Sequence, residues 1–151
     1  MSKSEHIEYF QAKAVGSGWP TSVSISDSQW SFRIDEPEED GGSNSGPNPM
    51  HHFVASLAGC QNEQAQVVAD ELGLKATDIK MSIEVALDLS GFMGIKDNST
   101  GAFQRIKLRT SVAGLSDEQS SALGELVDAR CPILSLLRSS GVKIESDWIS
   151  A

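Results

Sequence analysis

Cys60 and Cys131 are the only cysteines in the 151 residues, and each stands where thiol chemistry is possible. Cys60 closes the run Asn48-Pro49-Met50-His51-His52-Phe53-Val54-Ala55-Ser56-Leu57-Ala58-Gly59-Cys60, and Cys131 opens Cys131-Pro132-Ile133-Leu134-Ser135-Leu136-Leu137. At about 100° per residue, Ser56 lies ~40° and His52 ~80° from Cys60 around a helix, whereas His51 falls ~180° away. His52, Ser56 and Cys60 therefore form a ladder on one side, which Glu63 and Gln64 continue one turn on. An imidazolium beside Cys60 lowers its pKa and a carboxylate raises it, so His52 and Glu63 push the thiol in opposite directions. Cys131 precedes a proline at a helix start, where the positive end of the helix dipole favours a thiolate.

Each residue also has a plainer reading. A cysteine in an Ala/Gly/Leu-rich helix suits a small buried apolar side chain, and Cys-Pro is an ordinary helix start. A zinc site could draw on Cys60, Cys131, His52 and Glu63, but close ligand spacing such as C-x-x-C or H-E-x-x-H is missing, so no metal is expected. The acidic run Asp35, Glu36, Glu38, Glu39 and Asp40 reads as a solvated loop. Phosphate-binding glycine loops, dinucleotide fingerprints and nucleophile elbows do not occur.

The formal charge of −9 and a pI near 4.7 exclude a phosphate-backbone partner, which needs a basic surface. The longest apolar stretches fall far short of the ~18 residues of a membrane helix. The first residues, Met1 to His6, lack an apolar secretory core, which leads to the expectation of a cytoplasmic protein whose two cysteines react rather than staple. The length suits one domain spanning residues 1–151.

The positioning elements follow from pattern. His6 to Val15, Thr21 to Ser26 and Trp30 to Ile34 read as three strands of an antiparallel opening, with a turn over Gly16 to Pro20. Pro37 to Pro47 reads as a loop that cannot bury itself. Asn48-Pro49 starts a helix of about 24 residues that ends at Gly73, long against the usual ~11–12 and hence central. Ile79 to Leu89 alternates strictly and pairs with Phe103 to Val112 across the loop from Ser90 to Ala102. Ser116-x-x-Gln119 is a capping box opening a second helix; Cys131-Pro132 interrupts it, a third short helix ends near Gly141, and Val142 to Trp148 closes as a strand. The order βββ-α-ββ-αα-β predicts an α+β fold with mainly antiparallel sheets.

Gly46-Pro47-Asn48-Pro49 leading into Ser56-Leu57-Ala58-Gly59-Cys60, followed about 70 residues later by Cys131-Pro132 after a capped helix, resembles the OsmC/Ohr superfamily of cysteine-dependent peroxidases. The resemblance runs from about Glu5 to the end. It implies an intertwined homodimer in which sheets wrap two long central helices, with paired sites at the interface. It also implies that Cys60 attacks a small organic hydroperoxide and becomes a sulfenic acid, that Cys131 condenses with it to a disulfide, and that a dithiol such as a lipoyl group reduces the disulfide, without a bound cofactor. The peroxidase branches carry a Glu ten residues before the first cysteine, where this chain has Met50, and an essential Arg in the first hairpin, where Val15 to Thr21 has none. Arg33 and His52 are the residues placed to substitute. These departures keep a second reading open: a protein of the same fold that lacks peroxidase activity and binds a small apolar ligand or a partner in the interface cleft.

Overall fold

Two three-stranded sheets and three α-helices make up the fold, and the computed structural model describes residues 7–95 and 102–151. Strands β1 (Ala12–Val15), β2 (Thr21–Ile25) and β3 (Ser31–Ile34) form one antiparallel sheet. A loop containing a 3-10 turn at Glu38–Asp40 leads into α1 (Pro49–Glu71). Strands β4 (Asp78–Asp88) and β5 (Ala102–Ala113), helices α2 (Asp117–Arg130) and α3 (Pro132–Ser139), and strand β6 (Lys143–Ser150) complete the chain. The α+β class and the order βββ-α-ββ-αα-β are as the sequence predicts. The chain divides into two compact units, one ending at Phe53 and the other spanning Val54–Ala151.

In the first unit the opening strand is shorter than its strand-forming residues suggest. Ala12 pairs with Ile25, the last residue of β2, and Ser26 N–H donates to the Gln11 carbonyl. Among the described residues the β1–β2 register begins at Ala12, and Ile7, Tyr9 and Phe10 lie exposed in irregular chain. His6, where the strand was expected to begin, falls outside the described residues.

The second unit holds the principal core. Its helical stretch buries Leu57, Gln61, Ala65, Val68 and Ala69, the i, i+4, i+8, i+11 and i+12 positions of one face. Ala65, Val68 and Ala69 pack with Val112, Leu115, Leu123, Val127 and Trp148. Strand β4 runs antiparallel to β5 through a bulge at Ala86/Leu87, and its alternating residues, Ile79 to Leu87, are partly buried. Leu89 lies past the strand end and is exposed. Strand β6 pairs with β5 in parallel, an exception to the mainly antiparallel pattern. The intervening α2 and α3 supply the crossover that a parallel pair requires.

The caps hold as read. Asn48 Oδ1 accepts from His51 N–H at 2.9 Å, and Gly73 takes φ 65 beyond the end of α1. Ser116 and Gln119 close a reciprocal capping box. On α2, Gly124 is where helix and sheet touch most closely. A Cβ there would stand 2.2 Å from Trp148 Cγ, so the indole occupies the space of the missing side chain.

The acidic run contains one residue of another kind. Asp35 is fully buried, not solvated. Its Oδ1 accepts from Glu36 N–H at 2.9 Å, and its Oδ2 accepts from the hydroxyls of Ser43 and Ser45 at 2.7 Å and from Ser45 N–H at 2.8 Å. The loop after Pro37 thus orders itself around one carboxylate, and Gly42 is needed there because a Cβ would meet the Glu36 carbonyl oxygen at 1.9 Å. These donors, Ser43 first, hold the Asp35 carboxyl well below the usual carboxylate range. A depressed folded pKa gives stability that is present above the unfolded carboxylate value of about 3.9 and is lost as pH falls below it. Asp35→Asn is therefore expected to melt at lower temperature than Asp40→Asn at neutral pH. The difference between wild type and Asp35→Asn should narrow between about pH 6 and about pH 2; a constant gap would show that the charge on Asp35 is not what orders the loop.

Candidate active site

Helix α1 carries Cys60 on its half-buried side, while Cys131, fully buried, forms the joint between α2 and α3. The joint is a consequence of Pro132. Cys131 caps α2 by donating its N–H to the Val127 carbonyl at 3.0 Å, and caps α3 by accepting from Ser135 N–H at 2.9 Å. With φ −66 and ψ 115 it holds the extended conformation that a residue before proline prefers. The two cysteines, remote in sequence, meet: Sγ to Sγ is 2.8 Å, and both are free thiols. A small displacement takes them to the ~2.05 Å of a disulfide.

The surroundings of Cys60 raise its pKa. Burial first, then the hydrogen bond with Cys131, and more weakly the charges of Cys131 and Glu63, push the Cys60 thiol up to about 11. Opposing them is the backbone N–H of Ile133 in the first turn of α3, which favours the Cys60 thiolate. The start of α3, expected to act on Cys131, thus also acts on Cys60, an influence between distant segments that residue spacing does not encode.

His52 and Arg33 meet in the first unit, through a backbone atom of the arginine. His52 Nε2 stands 3.2 Å from the Arg33 carbonyl oxygen, and as its N–H tautomer donates to it. The imidazole also lies against Phe32, with centroids 4.7 Å apart. The Arg33 side chain is exposed, as is that of Met50. Among the described residues no cluster of three or more His, Cys, Asp and Glu is placed to hold a metal ion. Two surface depressions are evident, one beside Asp35, Ser45 and His51 and one beside Thr110, Ser146 and Trp148; neither is lined by a cysteine.

Comparison with known proteins identifies the fold and the family. An organic hydroperoxide resistance protein OsmC from Legionella pneumophila superposes with a TM-score of 0.77 at 23% identity, covering 96% of this chain and 98% of that one. An OsmC-like protein from Mycoplasma pneumoniae gives 0.79 at 16% identity, covering 95% and 96%. An organic hydroperoxide resistance protein from Elizabethkingia anophelis, with thiocyanate bound, gives 0.76 at 19% identity, covering 97% and 98%. Likeness at these identities establishes the fold. No curated protein matches the sequence. The family described as OsmC-like protein matches residues 42–147, a span that includes both cysteines and well over half of the chain. The chain belongs to the OsmC-like protein family.

Proposed function

We propose that this OsmC-like redox protein reduces small organic hydroperoxides through Cys60 and Cys131. The observation that carries the reading is the 2.8 Å approach of two free thiols, one half-buried on a long helix and one buried at a helix joint. In the first step the Cys60 thiolate attacks the peroxide bond, forming a sulfenic acid and releasing an alkoxide that takes a proton to become the alcohol. In the second, the Cys131 sulfur attacks the sulfenic sulfur, a disulfide forms and water leaves. A dithiol such as a lipoyl group then takes up the disulfide by exchange, itself becoming the cyclic disulfide. The chemistry resides in the two sulfurs and calls for no bound cofactor or metal. The names of the Legionella and Elizabethkingia relatives, both organic hydroperoxide resistance proteins, support the substrate class.

In this reading residues 1–151 form a single OsmC-like domain whose two compact units are completed in an intertwined homodimer. Tyr9, Phe10, Trp30, Phe92 and Leu136 are exposed in the single chain, and covering such side chains is what a partner subunit supplies. The protein acts in the cytoplasm, where a reducing environment keeps the cysteines as cycling thiols. Among the described residues no helix is long and apolar enough to cross a membrane. His52 and Arg33 serve as the activating or substrate-binding pair in place of the family Arg, while Met50 occupies the position of the family Glu.

Turnover of tert-butyl or cumene hydroperoxide with a dithiol reductant is the direct test, with intact mass after one equivalent of oxidant expected to show the loss of two hydrogens. Both thiols remaining free would remove the peroxidase reading and favour the alternative, an OsmC fold that binds a small apolar ligand at the dimer interface.

A further inference from the structure

The helix joint that carries Cys131 has an orphaned carbonyl, and one side chain serves it. In a continuous helix the Asp128 carbonyl would accept from the N–H of residue 132, but residue 132 is proline and has none. Arg138, from the last turn of α3, reaches back across the joint. Its Nη1 donates to the Asp128 carbonyl at 2.9 Å and its Nη2 to Asp128 Oδ2 at 3.2 Å. The guanidinium fork thus grips the backbone and the side chain of one residue at once. Asp128 is almost fully buried, and its carboxyl is raised by burial against the opposing effect of Ser146, Arg138 and Trp148. Its Oδ1 makes no hydrogen bond of good geometry, so the two bonds to Arg138 are its firm attachment.

We infer that Arg138 and Asp128 form a positioning clamp that holds the α2–α3 joint closed and so keeps Cys131 on Cys60. The role rests on the reading of the two cysteines as a redox pair. Between the clamp's ends lie Cys131, whose Sγ stands 2.8 Å from that of Cys60, and Ile133, whose backbone N–H favours the Cys60 thiolate. Opening the joint would move both groups off the Cys60 sulfur while leaving α1 and the strands in place. The clamp therefore governs how easily the disulfide forms, because a disulfide tolerates only a narrow range of separations and the dithiol state does not.

The test is the thiol–disulfide equilibrium of the full chain with dithiothreitol, read by intact mass after acid quench and alkylation. The two protein thiols give up two protons and two electrons to oxidised dithiothreitol, forming one protein disulfide and the reduced dithiol. Arg138→Ala is expected to shift this equilibrium toward the protein dithiol by about tenfold, equivalent to ~30 mV. Arg138→Lys, which offers an ammonium instead of a planar fork, should shift it by roughly threefold. Arg130→Ala, which removes the exposed pair with Glu71 near the same joint, should leave it unchanged. A lowered melting temperature in Arg138→Ala with an unchanged equilibrium would overturn the clamp and leave a purely structural role. If the alanine variant does not fold, an unshifted Arg138→Lys equilibrium overturns it equally. A wild-type chain that forms no Cys60–Cys131 disulfide would instead sink the underlying redox reading, and is distinguished because it fails before any substitution is made.

Discussion

Cys60→Ser will abolish hydroperoxide reduction, whereas Cys131→Ser will still react once and stop. A serine hydroxyl is too weak an acid and nucleophile at neutral pH to attack a peroxide, and loss of a covalent nucleophile costs three orders of magnitude or more, roughly, in other enzymes. In Cys131→Ser the first step is intact, because the half-buried Cys60 is the sulfur that solvent reaches. Its sulfenic acid then finds a hydroxyl where a thiol stood 2.8 Å away, and no disulfide can close. Intact mass should show one added oxygen in Cys131→Ser and none in Cys60→Ser after one equivalent of hydroperoxide. The reverse assignment, with an oxygen trapped on Cys131 in Cys60→Ser, would mean that the fully buried thiol is the one that meets peroxide.

Why the pair could be suspected at all lies in local signals, which survive in a sequence. Asn48-Pro49, Gly73 and the Ser116/Gln119 box each act within a few residues, and all three appear in the structure where the sequence puts them. The alternation from Ile79 to Leu87 has the period of a strand with one face covered. What stayed hidden depends on contacts that periodicity does not carry. Asp35 looked like its acidic neighbours, because the donors that bury it come from Ser43 and Ser45. Gln61 sits fully buried on the apolar face of α1, where a polar residue gives no pattern to read. Strand propensity extends over residues 7–11, but β1 begins at Ala12, because propensity says nothing about whether a neighbouring strand exists. At the site, helix periodicity suggests a ladder of His52, Ser56 and Cys60, but the influence of the Ile133 N–H and the Arg138 clamp arise from the turn at Pro132 folding α3 back. Their signal was the proline itself, which has no N–H to offer the Asp128 carbonyl at the end of α2 and obliges another group to supply one.

Alkylation of Cys60 will rise about tenfold per pH unit from neutrality toward pH 11, with little reaction at pH 7. With the thiol pushed up to about 11 from an ordinary 9.0, its thiolate fraction at pH 7 is on the order of 10⁻⁴, roughly a hundredfold below that of an unperturbed thiol. The sign for stability follows from the same shift: the unfolded thiol ionises first, so the folded chain loses stability as pH rises from about 9 to about 11. Removing Cys131 should move the alkylation midpoint downward, because its hydrogen bond and its charge both raise Cys60, while burial remains. Cys131→Ala is therefore expected to alkylate faster than wild type at pH 8, measured as the pseudo-first-order rate with iodoacetamide. A wild-type midpoint at or below 9 would show that the favourable Ile133 N–H outweighs burial and the neighbouring thiol. A midpoint near 11 instead leaves a definite task for whatever sits beside the sulfur during turnover. Attack on a peroxide requires the thiolate, so a positive group or substrate-bound donor must supply several units of pKa, at about 1.4 kcal/mol each. With Met50 in place of the family Glu and no arginine from Val15 to Thr21, that demand falls on His52 and Arg33, and it makes the pH profile the measurement on which their proposed role depends.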